Sequence, residues 1–189
     1  LYPIYLLLPL MYVIQGFAFL DITYPESLWL GWLLAFITLY LTLYIYQDKK
    51  RYQSLAHPLG FWLLFWIIAD YSYYHLMTHT LLNETWATSL LGLECAIWIL
   101  IINQGKRLLK WPLNKLNELY VATTLLPLII ISAIWVIWVS LSMPGDFSPI
   151  IYRPILNPID IASLLIFIAT IIAIITLPKN YHEVNFTKL

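Results

Sequence analysis

The sequence predicts an all-α protein, a polytopic transmembrane helical bundle with about six spans. Three observations favour this fold class. The chain is 61% hydrophobic and 11% charged, with a mean hydropathy of +0.78, whereas a soluble domain usually has about a quarter of its residues charged. Its apolar residues form runs of the length that a helix needs to cross a bilayer. Its basic residues lie almost entirely in alternate connections between those runs.

Six apolar segments match the roughly 20 helical residues that a hydrocarbon core of about 30 Å requires. Within the fifth segment, residues 125–139 are apolar on every side apart from Ser132, so they lack the polar stripe of a helix from a soluble bundle. Prolines inside the segments, such as Pro9 and Pro127, are expected to be packing kinks. The predicted spans, which form part of one transmembrane domain over 1–189, are 2–20, 27–46, 58–76, 85–102, 119–141 and 159–177.

The basic residues predict how the chain is oriented in the membrane. Short cytoplasmic loops carry an excess of Lys and Arg. Arg153 alone falls in an odd-numbered connection. This distribution predicts an inner-membrane protein with the even-numbered connections and both ends of the chain in the cytoplasm. The other nine basic residues lie in the second connection, the fourth connection and the C-terminal tail: Lys49, Lys50, Arg51, Lys106, Arg107, Lys110, Lys115, Lys179 and Lys188.

The fourth connection, residues 103–118, mixes apolar and basic side chains. Leu108, Leu109 and Trp111 alternate with Lys and Arg. This pattern is typical of a short helix lying on the inner leaflet, here beginning near Pro112. Each basic residue would gain about 1 kcal/mol beside anionic lipid. A simple tethering loop without a preferred lipid explains the same pattern, and both interpretations remain open at this point.

Two carboxylates, Asp70 and Glu94, lie deep within predicted spans three and four. An ionised carboxylate at the bilayer centre costs at least about 2.5 kcal/mol. Asp70 is roughly 18 Å from the cytoplasmic end of its span and Glu94 roughly 16 Å. The two are therefore predicted to lie at similar depth and to share a proton. A proton-coupled or substrate-binding site is one interpretation, and protonated carboxyl groups that hydrogen-bond neighbouring helices are the other.

No cofactor is expected. His75 and His79 are four residues apart, as metal ligands on one helix face often are, but no third ligand completes a zinc set, so they are weak metal candidates. The single cysteine, Cys95, excludes cysteine frameworks. The charge pattern offers no basic face for nucleic acid. The sequence also has no Gly-x-Ser-x-Gly elbow and no phosphate-binding glycine loop, so an enzyme confined to this stretch is not expected.

The sequence of the fifth connection predicts an ordered loop on the outer side of the membrane. Pro144-Gly145 is a turn dipeptide. Asn157 suits the N-cap of the sixth span, Pro158 the first helical position and Asp160 the third. Asp146, Arg153, Asn157 and Asp160 together form a candidate outer-loop site, although capping alone explains Asn157 and Asp160.

This connection also carries a resemblance to a known family. The chain resembles a large family of bacterial multi-spanning predicted membrane proteins classed as a domain of unknown function. The resemblance extends upstream through Trp111-Pro112, Trp86 and the region of His57, and Arg153 stands where an apolar residue is expected. It implies no catalytic residues. The matching residues are Pro144-Gly145-Asp146, Pro149, Tyr152, Pro154, Leu156-Asn157-Pro158 and Asp160.

Three functions follow as hypotheses. The chain begins at Leu1 within an apolar run, so we expect a piece of a longer polytopic protein whose partners are the lipid bilayer and the remaining spans or neighbouring membrane subunits. A structural or transport unit of the bacterial envelope is the first hypothesis. A membrane enzyme modifying an envelope lipid or polymer is the second. A scaffold for other membrane proteins is the third.

Overall fold

The computed structural model describes residues 4–21, 28–79, 84–143 and 155–177. All regular secondary structure in these ranges is helical, which confirms the predicted all-α class. A kinked turn over Lys110–Asn114, in which Trp111 has an extended backbone (φ −130°, ψ 141°), separates the fourth helix from the fifth. The π-helical turn Val121–Leu125 joins the fifth to the sixth. The helices are α1 (Ile4–Asp21), α2 (Leu28–Ile45), α3 (Lys50–His79), α4 (Glu84–Leu108), α5 (Asn117–Tyr120), α6 (Leu126–Ser142) and α7 (Pro158–Thr176).

Within the described ranges, three helical stretches are long and apolar enough to cross a membrane by length and composition. They are Glu84–Leu108, Asn117–Ser142 and Pro158–Thr176. The first two helices contain shorter apolar stretches, Leu7–Phe19 and Trp29–Ile45. A transmembrane helical bundle is thus supported, while the count of about six spans stays a prediction.

Helix α3 divides the hydrophobic core into two clusters. One face packs with α1 and α2 through Leu63 and Ile67. The other presents Phe61 to Trp98 of α4, within a cluster that α4 to α7 complete. Because successive residues of a helix are rotated by about 100°, residues a few positions apart point to different sides, and a single helix can contribute to two cores. The position of a side chain on α3 therefore decides which half of the bundle it faces.

Small side chains bring α4 and α7 together. Ala162, Ala169 and Ala173 of α7 are buried, and much of the buried surface in the first half of α4 comes from Ala, Thr, Ser and Gly residues. In a membrane, small residues let two backbones approach closely, which favours van der Waals packing. Near the far end of the pair, Asn103 Nδ2 donates a hydrogen bond to Thr176 Oγ1 at 2.7 Å.

The predicted fifth span is not one uniform helix. Pro127 lies in the first turn of α6, directly after the π-helical turn. A proline has no N–H to donate to the carbonyl four residues earlier, which here is that of Thr123. The indole Nε1 of Trp62, on α3, donates to that carbonyl at 3.1 Å. A neighbouring helix thus supplies the hydrogen bond that the proline removes, as expected for prolines in membrane helices.

Candidate functional site

Asp70 hydrogen-bonds across the bundle to α1. Gln15 Nε2 donates to Asp70 Oδ2 at 2.8 Å. The Gln15 side chain is fully buried and Asp70 is half-buried. An amide that donates to a carboxyl group in a low-dielectric region lowers the cost of keeping both polar groups there. The contact therefore joins α1 to α3 by a polar link, as does the hydrogen bond from the Tyr12 hydroxyl to the Leu59 carbonyl at 2.8 Å.

Glu94 lies near the middle of α4, about 15 Å along the helix from Glu84. Its side chain is 7% exposed. One carboxyl oxygen accepts a hydrogen bond from Trp98 Nε1 at 3.2 Å. The other, Oε2, is buried and has no hydrogen-bond partner among the described residues, and no Lys or Arg of the described ranges pairs with Glu94. A buried oxygen without a partner is uncommon and calls for a functional or solvent explanation.

The described hydrogen bonds of the two carboxyl groups lead to different helices. Asp70 has a partner on α1 and Glu94 a partner on its own helix. Phe61 of α3 contacts the ring of Trp98 edge-on, with the centroids 5.2 Å apart, and Asp70 is nine residues beyond Phe61, which at about 100° per residue places it on the other face of α3. The predicted sharing of one proton stays a prediction.

A buried polar cluster surrounds His57, near the start of α3. His57 is fully buried. Its Nε2 lies 2.6 Å from Gln53 Oε1, and its Nδ1 lies 2.9 Å from the Tyr120 hydroxyl. The ring of Tyr40, on α2, lies edge-on beside the imidazole. The cluster therefore links α2, α3 and α5.

The hydrogen-bond pattern fixes the tautomer of His57. Gln53 Nε2 donates to the carbonyl oxygens of Leu43 at 2.9 Å and Tyr46 at 3.3 Å, so its Oε1 is the atom that meets the imidazole. An amide oxygen only accepts. His57 therefore carries its hydrogen on Nε2, and Nδ1 accepts from the hydroxyl of Tyr120. Gln53 also satisfies carbonyl groups at the end of α2, which have no partner within that helix.

Aromatic rings close this cluster from the side of the fourth connection. The ring centroid of Trp111 lies 5.5 Å from that of His57 and 5.2 Å from that of Tyr44, in both cases edge-on. The ring of Tyr40 lies 5.9 Å from that of His57. Such edge-to-face pairs each add about 0.5–1.5 kcal/mol beyond the burial of their area. Both nitrogens of the buried imidazole are therefore hydrogen-bonded within a cage of aromatic rings, while the buried Nε1 of Trp111 has no hydrogen-bond partner among the described residues.

The start of α7 has the predicted cap. Asn157 is the N-cap, and its side-chain Oδ1 accepts from the backbone N–H of Asp160 at 2.8 Å. Asp160 Oδ2 in turn accepts from Asn157 Nδ2 at 2.6 Å and from the backbone N–H of Ile155 at 3.0 Å. Ile155 has a φ of 72°, a conformation that is unusual for a β-branched residue and needs such support. The capping interpretation is confirmed. Asp146 and Arg153, the other members of the candidate outer-loop site, lie outside the described residues.

Replacing Asn157 with alanine is expected to destabilise the protein by about 1 kcal/mol, because the first turn of α7 loses its cap. Thermal unfolding in detergent measures this change. Asn114→Ala is the matched control, since Asn114 is exposed in the kinked turn between α4 and α5, and it is expected to change the stability by less than about 0.5 kcal/mol. Equal effects from the two substitutions would contradict the capping role.

Comparison with known families accounts for nearly the whole chain. A family model described as a predicted membrane protein (DUF2339) matches residues 2–186. The chain belongs to this family. The DUF2339 match confirms the resemblance read from the outer-loop motif, and it makes the lipid bilayer the surroundings of the bundle. A search of curated proteins and a search of solved structures gave no match.

The weak metal candidates of this DUF2339 chain do not gain support. His75 is exposed and packs edge-on against Tyr71, with the ring centroids 6.0 Å apart. His79 is the last residue of α3, and its side chain lies outside the described part. Among the described residues, no group of three or more His, Cys, Asp or Glu side chains is placed to hold a metal ion.

Sequence reasoning missed the cluster around His57. Its one local signal is the spacing of Gln53 and His57, which places both on one face of a helix. The same spacing at His75 and His79 attracted attention because two histidines look like metal ligands. Tyr40 and Tyr120 are distant in the chain from both, and nothing in their neighbourhoods indicates a common partner. Only the packing of α2, α3 and α5 reveals the junction.

Proposed function

We propose that this DUF2339 chain is a transport unit of the bacterial inner membrane in which Glu94 binds and releases a proton. The observation that carries the proposal is the buried Oε2 of Glu94, which has no hydrogen-bond partner in the described chain. Ionisable residues inside membrane helices are expensive and commonly mark proton or substrate pathways. Helix α4 has this carboxyl group in the middle of its length despite the free-energy cost of burying it. An apolar residue at that position would avoid the cost.

The charge state follows from the surroundings. With one indole N–H as its donor and no cation beside it, an ionised Glu94 would be poorly compensated in an apolar bundle. We infer that the resting carboxyl group is protonated. Its O–H then needs an acceptor, and a water molecule or a transported substrate fills that role in the working protein. Release of the proton would require such a partner to arrive or the helices to move.

The orientation belongs to the same proposal. Nine of the ten basic residues lie in the even-numbered connections and the C-terminal tail, and we infer from the positive-inside rule that these segments and both ends of the chain are cytoplasmic. The His57 junction then lies on the cytoplasmic side and the start of α7 on the outer side. Remaining spans of a longer protein or neighbouring subunits are the expected partners of α6 and α7.

The two other hypotheses have less support. An enzyme at the outer corner would use Asp160, but both groups that bond its Oδ2 serve the start of α7. A scaffold would offer apolar faces to other proteins, and α6 and α7 do expose Ile137, Leu141 and Phe167. Lipid covers such faces equally well, so they do not favour a protein partner.

Proton binding at Glu94 is tested with Glu94→Gln, which keeps the shape of the side chain and removes its acid. In proteoliposomes under an imposed membrane potential, we expect proton flux to fall at least about tenfold, as for loss of an essential intramembrane acid. Infrared spectroscopy is expected to show the C=O stretch of a protonated carboxyl group that disappears in the same variant.

Two controls accompany this substitution. Glu84→Gln removes an exposed acid at the start of the same helix and is expected to leave flux and spectrum unchanged. Asp70→Asn removes the other intramembrane acid and is expected to retain the infrared band of Glu94. Absence of proton flux in the unmodified protein, or an unchanged flux in Glu94→Gln, would reject the transport role.

A further inference from the structure

The connection between α4 and α5 forms a protruding elbow, which we define as residues 106–110. Arg107 and Lys110 are exposed, and between them Leu108 and Leu109 are 83% and 51% exposed. Exposing two aliphatic side chains to water is unfavourable, and here they lie between two cations. Among the described residues, the side chains of Arg107 and Lys110 make no hydrogen bond and no ion pair, so both charges are available.

Three contacts hold the residues behind the elbow. Leu113 is buried against Gly105, so closely that a Cβ at Gly105 would overlap its Cδ1. Trp111 packs between the rings of Tyr44 and His57. Lys115 Nζ donates to Gln47 Oε1 at 2.9 Å, which ties the segment to the turn after α2. With Trp111 and Leu113 directed inward, the chain must turn the elbow away from the bundle. Its exposure is therefore built into the fold.

We propose that the elbow binds the headgroup of an anionic phospholipid, with Arg107 and Lys110 on the phosphate and Leu108 and Leu109 inserted between acyl chains. The two positive charges favour an anionic ligand, and the two exposed leucines favour an anion that is attached to an apolar chain. The elbow begins where α4, the best-packed spanning helix, ends, so it lies at the level of the headgroups. This inference rests on the inner-membrane location proposed above and not on any role of Glu94.

The phosphate could equally come from a free anion, and the experiment separates the two sources. The full-length protein is placed in nanodiscs with equal amounts of phosphatidylglycerol and phosphatidylcholine, extracted in mild detergent, and its retained lipids are counted by native mass spectrometry. Phosphatidylglycerol is expected to be retained in excess. Arg107→Gln/Lys110→Gln is expected to lower that excess about 25-fold, at about fivefold for each cation near the surface.

The apolar half of the elbow is tested separately. Leu108→Ser/Leu109→Ser is expected to lower retention of phosphatidylglycerol without a change of charge, and excess glycerol 3-phosphate is expected not to displace the lipid. Displacement by glycerol 3-phosphate together with an unaffected leucine variant would instead identify a site for free phosphate, and would overturn the lipid proposal.

Lys49→Gln is the matched control for Lys110→Gln. Lys49 is exposed on the neighbouring connection between α2 and α3 and lacks adjacent exposed leucines. Lys49→Gln is expected to retain phosphatidylglycerol in excess. An equal loss of that excess in Lys49→Gln and Lys110→Gln would mean that anionic lipid is attracted diffusely to the basic surface, and would refute the site. Glu94→Gln is expected to retain phosphatidylglycerol whatever its effect on proton flux, so the two proposals fail independently.

Discussion

Replacing His57 with alanine is expected to destabilise the protein by roughly 2–4 kcal/mol. The substitution leaves Gln53 Oε1 and the Tyr120 hydroxyl without their partner at 2.6 and 2.9 Å, and stranding a buried polar group costs about 1–3 kcal/mol. It also opens a cavity among the rings of Tyr40 and Trp111. Detergent-induced unfolding, followed by tryptophan fluorescence, measures the change in the free energy of unfolding.

The same residue type elsewhere on α3 provides the control. His75 is exposed and loses its edge contact with Tyr71, so His75→Ala is expected to cost at most about 1 kcal/mol, well below the cost of His57→Ala. Combining His57→Ala with Tyr120→Phe is expected to cost less than the sum of the two single changes, because the second removes the hydroxyl that the first leaves stranded. Strict additivity would contradict the hydrogen bond between them.

Replacing Gly92 with alanine is expected to destabilise the packing of α4 against α6 by about 1–3 kcal/mol, the usual cost of overpacking. A Cβ at Gly92 would overlap three carbon atoms of the Trp135 ring. In an exposed helix the same change is favourable by up to about 1 kcal/mol because alanine is the better helix former. The expected sign is therefore set by the indole ring and not by helix propensity.

A second glycine makes this prediction testable without ambiguity. Gly31 lies in α2, and a Cβ added there meets nothing within 4 Å, so Gly31→Ala is expected to be neutral or stabilising. Gly92→Ala/Trp135→Leu is expected to recover much of the lost stability, because leucine leaves room for the added methyl group. Stabilisation by Gly92→Ala alone would show that the Trp135 ring moves aside at little cost.

Much of the fold could be predicted from the sequence. The apolar runs indicated the helical segments because transfer of side chains from water to lipid depends on composition alone. The cap at Asn157 could also be predicted, since the residues that bond one another there are within five positions in the chain. Interactions of this kind join residues that are close in the chain, so they can be recognised from the sequence.

The candidate sites were less predictable. Depth along a helix can be counted from the sequence, and it singled out Asp70 and Glu94 as acids within predicted spans, which stays a prediction. The partner of each carboxyl group depends on how the helices are rotated, and the sequence did not indicate that Asp70 bonds to Gln15 of α1 or that Glu94 bonds to Trp98 of its own helix. The helix that supplies a hydrogen bond to the Thr123 carbonyl was likewise beyond any local rule.

The order of the residues is enough to predict an all-helical membrane protein whose basic residues gather in alternate connections and whose helix α7 has a capped start. Only the tertiary structure decided that Asp70 turns toward α1, that Glu94 keeps an oxygen without a partner, and that His57 joins three helices. The physical reason is range. Hydropathy and capping act on one segment and its solvent, whereas these contacts join residues up to 63 positions apart and form only when the helices adopt particular rotations and distances.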